Sequence, residues 1–201
     1  MKKWIGFMLV LTLAFSVFTP NTYAQGYKDL SPDYRFYDEV NYLTEKEIIS
    51  GFLDNTFRAN RYVTRAQAAI MIGRTFGLDG TPADTPFWDV VEDTFASGYT
   101  NSVYEAGIIT GYRDRNYRPN KIVTRGEMAI ILSRAFKLTE EAELPFPDVK
   151  PHMKSYSYIK RIVAENITEG FPDGTFRPEE EMRRGEFSAF LARAMDNQFK
   201  K

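Results

Sequence analysis

The sequence contains no cysteine and one histidine, His152, and these scarcities narrow the chemistry open to the chain. Without cysteine there is no disulfide framework, thiolate nucleophile, cysteine metal site or lipidated N-terminal cysteine. The Gly-x-Ser-x-Gly motif of serine hydrolases is also missing,. An Asp114-Arg115-Asn116 segment lacks the glycine and the distal glutamate of a calcium loop,. We therefore expect no metal, no cofactor and no catalytic residue.

An excess of either charge is also lacking. The 26 basic and 27 acidic residues give a formal charge of −1, which becomes −3 when Lys2 and Lys3 are removed with the leader described next. Nucleic-acid-binding domains usually carry a basic surplus. We expect no nucleic-acid partner.

Long apolar runs are confined to the N-terminus. A charged start precedes an apolar stretch from Trp4 to Phe18, and small residues follow up to Ala24. Pro20 interrupts the run before it reaches the roughly 20 residues that a membrane span needs,. The pattern predicts a signal peptide over residues 1–24 and a secreted chain without a membrane span after cleavage.

Recurrence dominates the remaining sequence. The segment Thr64-Arg65-Ala66-Gln67 returns as Thr124-Arg125-Gly126-Glu127 and, altered, as Arg183-Arg184-Gly185-Glu186. The shared arginines are 60 and 59 residues apart, a period that indicates an array,. We predict three repeats, which we number in chain order. They are residues 25–85, 86–144 and 145–201.

Each repeat is predicted to hold two helices joined by a turn, so the fold class is mainly α, with three helix–turn–helix repeats of about 60 residues. The second helices carry apolar stripes typical of a buried face, such as Met128, Ile131 and Leu132,. A unit of this size has too little interior to be secure alone. We therefore predict one shared core around a pseudo-threefold axis, forming a three-pronged module, with an open solenoid as the alternative.

Two further residue types recur in every repeat. An aspartate follows an aromatic residue at each start, and we predict that it caps the first helix. A glycine follows each first helix, where positive φ or the close approach of another group is expected. The aspartates are Asp29, Asp89 and Asp148, and the glycines are Gly51, Gly111 and Gly170.

The order of these motifs resembles that of surface-layer homology repeats. The resemblance rests on Phe87-Trp88-Asp89-Val90, Gly107-Ile108-Ile109-Thr110-Gly111-Tyr112, Thr124-Arg125-Gly126-Glu127 and Asp173-Gly174-Thr175-Phe176-Arg177-Pro178. It implies a module that holds proteins on the bacterial cell wall or cell surface. The implied ligand is a secondary cell-wall polysaccharide, or another peptidoglycan-linked glycan, with ketal-linked pyruvate, bound noncovalently between neighbouring repeats. Another envelope protein is a further candidate partner.

Arginine chemistry agrees with an anionic ligand. A guanidinium fork fits a carboxylate in two-point contact, and the start of a helix favours negative charge. The alternative is a surface ion pair with Glu127 or Glu186. The candidate ligand-binding set is Arg65, Arg125, Arg184, Asp29, Asp89, Asp148, Gly51, Gly111, Gly170, Gln67, Glu127, Glu186 and Phe95.

The repeats also depart from the family pattern. A tryptophan expected six residues after each aspartate is Arg35, Phe95 and Lys154 here, so Phe95 alone offers a stacking ring. Repeat 3 adds Glu169 beside its glycine, and we expect the cleft of Arg184 to be degenerate, leaving those of Arg65 and Arg125 as the better sites. A protein-binding envelope scaffold and a wall-polysaccharide glycosidase with paired carboxylates stay open as alternatives.

Overall fold

A computed structural model describes residues 26–201, and the predicted signal peptide lies outside them. The described chain is mainly helical, with two α-helices in each repeat and a short 3-10 helix, Asn197–Phe199, near the end. The α-helices are α1 Tyr37–Glu45, α2 Arg65–Thr75, α3 Ser97–Glu105, α4 Arg125–Ala135, α5 Tyr156–Ala164 and α6 Arg184–Met195. Mainly helical repeats of about 60 residues are thereby confirmed.

Apolar residues at helical spacing form the core. Val40 and Leu43 of α1 are fully buried, and Met128 and Leu132 of α4 are buried in the same way. A single connected cluster contains buried side chains from all three repeats. Burial of such side chains contributes about 1.5–3 kcal/mol each relative to exposure, so sharing one core stabilises units too small to stand alone.

The helices pack in a cycle. The second helix of each repeat lies against the first helix of the next, which pairs α2 with α3, α4 with α5 and α6 with α1. The last pair joins repeat 3 to repeat 1, a contact that the terminal units of an open solenoid do not make. The contacts therefore favour a closed arrangement, and its pseudo-threefold symmetry stays a prediction.

A ring of three backbone hydrogen bonds links the segments before the second helices. The N–H of Val63 donates to the carbonyl of Met182 at 3.0 Å, that of Met182 to Val123 at 2.8 Å, and that of Val123 to Val63 at 2.9 Å. Each repeat thus donates one bond and accepts one. All three residues are buried, so the ring satisfies backbone groups that water does not reach,.

The recurring aspartates do not cap the first helices, so that prediction is wrong. The carboxylate of Asp29 accepts from the backbone N–H groups of Phe57 and Arg58, at 2.6 and 2.8 Å. Asp89 and Asp148 make the same pair of bonds in their repeats. The helix α1 begins at Tyr37, too far along the chain for Asp29 to cap it. Each aspartate instead ties the start of its repeat to the turn that follows the first helix.

The recurring glycines are required by close approach. A β-carbon at Gly51, Gly111 or Gly170 would strike the ring of the aromatic residue that opens the same repeat. Only Gly170 has positive φ, at +79°, so the backbone of the third turn differs from the other two. Within residues 26–201, no helix is long and apolar enough to cross a membrane.

Candidate functional site: three clefts between repeats

The recurring arginines reach across repeat boundaries. Arg65 is buried, and its Nε donates to the carbonyl of Tyr117 while one terminal nitrogen donates to that of Thr110, both at 2.8 Å. Its guanidinium also lies over the ring of Tyr117, 4.6 Å from the centroid. Arg65 of repeat 1 therefore holds the turn of repeat 2.

Arg184 and Arg125 do the same at the other two boundaries. Arg184 of repeat 3 donates to the carbonyls of Phe57 and Ser50 in repeat 1, at 3.0 and 2.8 Å. Arg125 of repeat 2 donates its Nε to Phe176 in repeat 3 at 2.8 Å. Burial lowers the pKa of Arg125 to about 10, so it still carries its charge at neutral pH. None of the three is the surface ion pair considered from the sequence.

The backbone N–H groups at the helix starts are not free for an anion, which corrects one part of the sequence interpretation. The N–H of Arg65 donates to Lys121 and that of Ala66 to Pro119, at 2.9 and 3.0 Å. The corresponding groups of α4 and α6 donate to carbonyls of repeats 3 and 1. Packing of the repeats thus consumes the donors that an isolated helix would offer.

Gln67 and Glu127 act as helix caps. The hydroxyls of Thr64 and Thr124 accept from the N–H three residues on, and the side chains of Gln67 and Glu127 accept in return, as the capping-box pattern predicts,. In repeat 3 only the return bond remains, from the N–H of Arg183 to Glu186 at 3.1 Å, because a guanidinium accepts no hydrogen bond,.

A large cavity lies between repeats 2 and 3, and we call it the 2–3 cleft. Its volume is about 1030 Å³, and its walls are the Gly111 turn, α4 and the segment before α5. Three carboxylates, of Asp114, Glu127 and Glu179, face a larger set of cations. The cations that line it are Arg65, Arg113, Arg118, Lys121, Arg134 and Lys154.

Lys121 and Glu127 form a pair inside the 2–3 cleft, and both contact the hydroxyl of Tyr112. Burial alone lowers the pKa of Lys121, but the bonds to Glu127 and Tyr112 outweigh it and raise the pKa overall. Arg134 donates to the hydroxyl of Tyr158 at 3.3 Å. Arg134 thus lines the cleft with an uncharged hydrogen-bond partner.

The equivalent space between repeats 3 and 1, the 3–1 cleft, has a volume of only about 140 Å³. Arg125, Glu169 and Gly170 line it together with Arg35 and Arg193. Arg193 forms a buried ion pair with Glu39 at 3.2 Å. The same scaffold therefore yields one open and one narrow cleft.

Glu169 belongs to the cleft of Arg125, which corrects the pairing expected from the sequence. Repeat order suggested that Arg184 serves the turn of its own repeat. Because each arginine reaches the following repeat, Arg184 contacts the turn containing Ser50, and Arg125 contacts the turn after Glu169. The arginine of the altered cleft is therefore Arg125.

Phe95 is 70% exposed and lies in the segment before α3. Its counterparts Arg35 and Lys154 line the 3–1 and 2–3 clefts. By its position in the repeat, Phe95 is expected at the boundary between repeats 1 and 2, which we call the 1–2 cleft. Its use as a stacking surface stays a prediction.

A second recurring set of arginines forms ion pairs within the turns. Arg58, Arg118 and Arg177 pair with the aspartates four residues earlier at 2.7 to 2.9 Å. The pKa values of Asp54, Asp114 and Asp173 fall to about 2 because these carboxylates accept hydrogen bonds from neighbouring side chains and backbone. In the described part of the chain, no three His, Asp or Glu side chains meet in a group that could hold a metal ion.

Several cleft residues escaped the sequence interpretation, namely Lys121, Arg134, Tyr158, Glu39 and Arg193. An arginine nine residues after each helix-start arginine was a detectable signal, since Arg74, Arg134 and Arg193 keep that offset. The partner of each such arginine was not detectable, because the pairing crosses between repeats.

Comparison with known proteins identifies the class to which this scaffold belongs. The S-layer homology domain matches three times, over residues 26–69, 86–129 and 145–188, which is more than half of the chain. The chain therefore belongs to the S-layer homology domain family, as the motifs suggested. It is a cell-surface protein of a bacterium.

Relatives are large proteins of which this chain matches a part. An endoglucanase of Bacillus sp. (strain KSM-635) is 30% identical over 91% of this chain and 21% of its own length. A cellulosome-anchoring protein of Acetivibrio thermocellus is 27% identical over 74% and 35%. The surface-layer 125 kDa protein of Lysinibacillus sphaericus is 30% identical over 80% and 14%. The similarity thus lies in a surface-anchoring module that forms a minor part of several different proteins.

Proposed function

We propose that the module attaches noncovalently to an anionic cell-wall polysaccharide, with the 2–3 cleft as a principal site. The observation that carries the proposal is a cavity of about 1030 Å³ lined by six cations and three carboxylates, on a chain whose net charge is −1. A local cationic surplus on a weakly acidic protein attracts anions to that cleft. A pyruvate ketal, whose carboxylate is fixed to a sugar ring, has the required charge and shape.

Arg65 has a supporting part in this proposal. Two of its guanidinium nitrogens are held by carbonyls, so the side chain lines the cavity in a fixed orientation. A donor that is already ordered loses little entropy when a ligand binds. Arg113 and Lys154 are exposed and complete the cationic rim.

Binding without turnover fits the carboxylates of the 2–3 cleft. A glycosidase needs one acid whose pKa is raised toward neutrality. Asp114 has a pKa of about 2 instead, chiefly because Arg118 donates to it. Glu127 is committed to the α4 cap and to Lys121.

The test is sedimentation with purified cell walls before and after hydrofluoric acid removes the secondary polymer. Wild type should bind only the untreated walls, and the double variant Arg113→Gln/Lys154→Gln should bind them weakly. Lys137→Gln is the matched control, because Lys137 is exposed and outside the cleft. Equal binding to stripped walls, or by the double variant, would contradict the proposal.

A protein-binding scaffold is the second candidate, favoured by one feature of repeat 2. Trp88, Val91 and Phe95 are 70%, 55% and 70% exposed. The corresponding positions in the other repeats carry lysine, arginine, serine or proline. Walls stripped of polysaccharide but not of protein would retain the module if this patch, rather than the cleft, held it.

A further inference from the structure

The arginine nine residues after each helix start has a different environment in each cleft. Arg74 is exposed, Arg134 is half-buried and Arg193 is only 6% exposed. The residue that faces it comes from the first helix of the next repeat. At that position α5 has Tyr158 and α1 has Glu39.

Glu39 neutralises the arginine of the 3–1 cleft. Its carboxylate accepts from Arg193 at 3.2 Å, and both side chains are at most 10% exposed. The other terminal nitrogen of Arg193 reaches the carbonyl of Ile167 at 3.5 Å. A ligand carboxylate that used Arg193 would have to compete with an acid already desolvated beside it.

Tyr158 leaves the positive charge of Arg134 in the 2–3 cleft uncompensated, so that it can attract an anionic ligand. Its hydroxyl is a neutral partner for Arg134 at 3.3 Å, and Arg134 lines the open cavity. The rim position six residues after the repeat aspartate is Lys154 here, and it adds a further cation. No carboxylate bonds to Arg134 among the described residues.

Two further features narrow the 3–1 cleft. Glu169 adds a carboxylate to its lining, where the 2–3 cleft has the uncharged Thr110. The chain after α6 lies across this side, with the ring of Phe199 on Tyr42 at 5.0 Å and Lys200 paired with Glu165 at 2.9 Å. Lys201 then lines the cavity itself.

We propose that the residue facing this arginine decides which cleft binds the glycan: Glu39 closes the 3–1 cleft to anionic ligands, and Tyr158 keeps the 2–3 cleft open to them. The inference rests on the proposed function, because it takes an anionic glycan as the ligand. It makes the 3–1 cleft a structural clamp between the first and last repeats. At most two of the three clefts then bind.

Isothermal titration calorimetry tests this with a methyl hexoside that carries a cyclic pyruvate ketal. Tyr158→Glu should weaken binding about tenfold or more, since it gives Arg134 the partner that Arg193 has. Tyr158→Phe, which adds no charge, should change the dissociation constant by less than about threefold. Circular dichroism melting establishes that each variant is folded.

The exposed rim residues give a matched pair that does not disturb the core. Lys154→Ala should weaken binding about two- to fivefold, whereas Arg35→Ala, at the same position in the 3–1 cleft, should leave it unchanged. Binding by Tyr158→Glu at wild-type strength, an effect of Arg35→Ala equal to that of Lys154→Ala, or a third equivalent of ligand would each overturn the inference.

The outcomes also separate this inference from the proposed function. If wild type does not distinguish the ketal from the same glycoside without pyruvate, anionic recognition fails and the inference fails with it. If wild type binds the ketal but the two rim variants behave alike, the proposed function survives and only the inequality of the clefts is wrong.

Discussion

The 2–3 and 3–1 clefts share a scaffold and differ in several residues that line the cavity, for example Thr110 against Glu169 and Arg113 against Pro172. In both, a buried arginine from the preceding repeat donates to a turn carbonyl, and a glycine lets an aromatic ring approach that turn. Yet the volumes are about 1030 and 140 Å³. Recurring residues therefore hold the repeats together, whereas we propose that the choice of cleft depends on residues that differ between the repeats.

The two clefts should differ most in stability when the arginine nine residues after the helix start, Arg193 or Arg134, loses its hydrogen-bond partner. Glu39→Ala should lower the free energy of unfolding by about 3–5 kcal/mol, because it leaves Arg193 buried and unpaired,. Tyr158→Phe, which removes the hydroxyl partner of Arg134 in the open cleft, should cost less than about 1 kcal/mol,. Urea denaturation measures both values.

A double replacement checks the reason for that difference. Glu39→Leu/Arg193→Met removes both charges and should recover most of the stability lost by Glu39→Ala, since two apolar groups need no partner. If the double variant is as unstable as the single one, packing rather than the unpaired charge explains the loss.

Replacing a helix-start arginine should lower the free energy of unfolding in proportion to the number of carbonyls to which it donates. Arg65→Ala leaves the carbonyls of Tyr117 and Thr110 without this donor, at about 1–3 kcal/mol for each,. Arg125→Ala removes one such bond, to Phe176, and should destabilise less. Equal losses in urea denaturation would show that the contrast in the third turn does not affect stability.

Changes to the helix caps of repeats 2 and 3 should have smaller effects on stability, and these effects should be opposite in sign. Thr124→Ala should cost about 1 kcal/mol, because it removes the side-chain acceptor at the start of α4,. Arg183→Thr should raise the free energy of unfolding by up to a similar amount, because it adds the side-chain acceptor that the start of α6 lacks. A loss from Arg183→Thr would instead show that the contact of Arg183 with the carbonyl of Asn60 matters more.

Local and recurring features were predictable from the sequence. The structure confirms the predicted apolar stripes and the close approach at the recurring glycines. The capping boxes of Thr64 and Thr124 also depend on a three-residue spacing that the sequence shows. The roles of Glu39 and Arg125 depend on which repeat their side chains reach, and chain order does not encode that, so Glu169 was paired with Arg184. Asp29 was misread as a cap for a different reason, because its partner is a turn 28 residues further along its own repeat.

The smallest expected effect is in the pH dependence of the two turns. Asp114 and Asp173 both have a pKa of about 2 in the folded chain, compared with 3.8 without these contacts. A depressed folded pKa stabilises above the unfolded value, so each contribution is present above about pH 4 and is lost as the pH falls toward 2.

The causes of the two depressed pKa values differ, and salt separates them. Arg118 is the main cause for Asp114, whereas the hydroxyl of Thr175 is the main cause for Asp173. Because 1 M salt screens exposed charges but not a neutral hydrogen bond, the pKa of Asp114 should rise more than that of Asp173. Carboxyl-carbon NMR titration at low and high salt measures both, with Asp114→Asn and Asp173→Asn assigning the signals. Equal shifts would mean that the ion pairs to Arg118 and Arg177 dominate both turns, so that the two clefts differ in their facing residues but not in their turns.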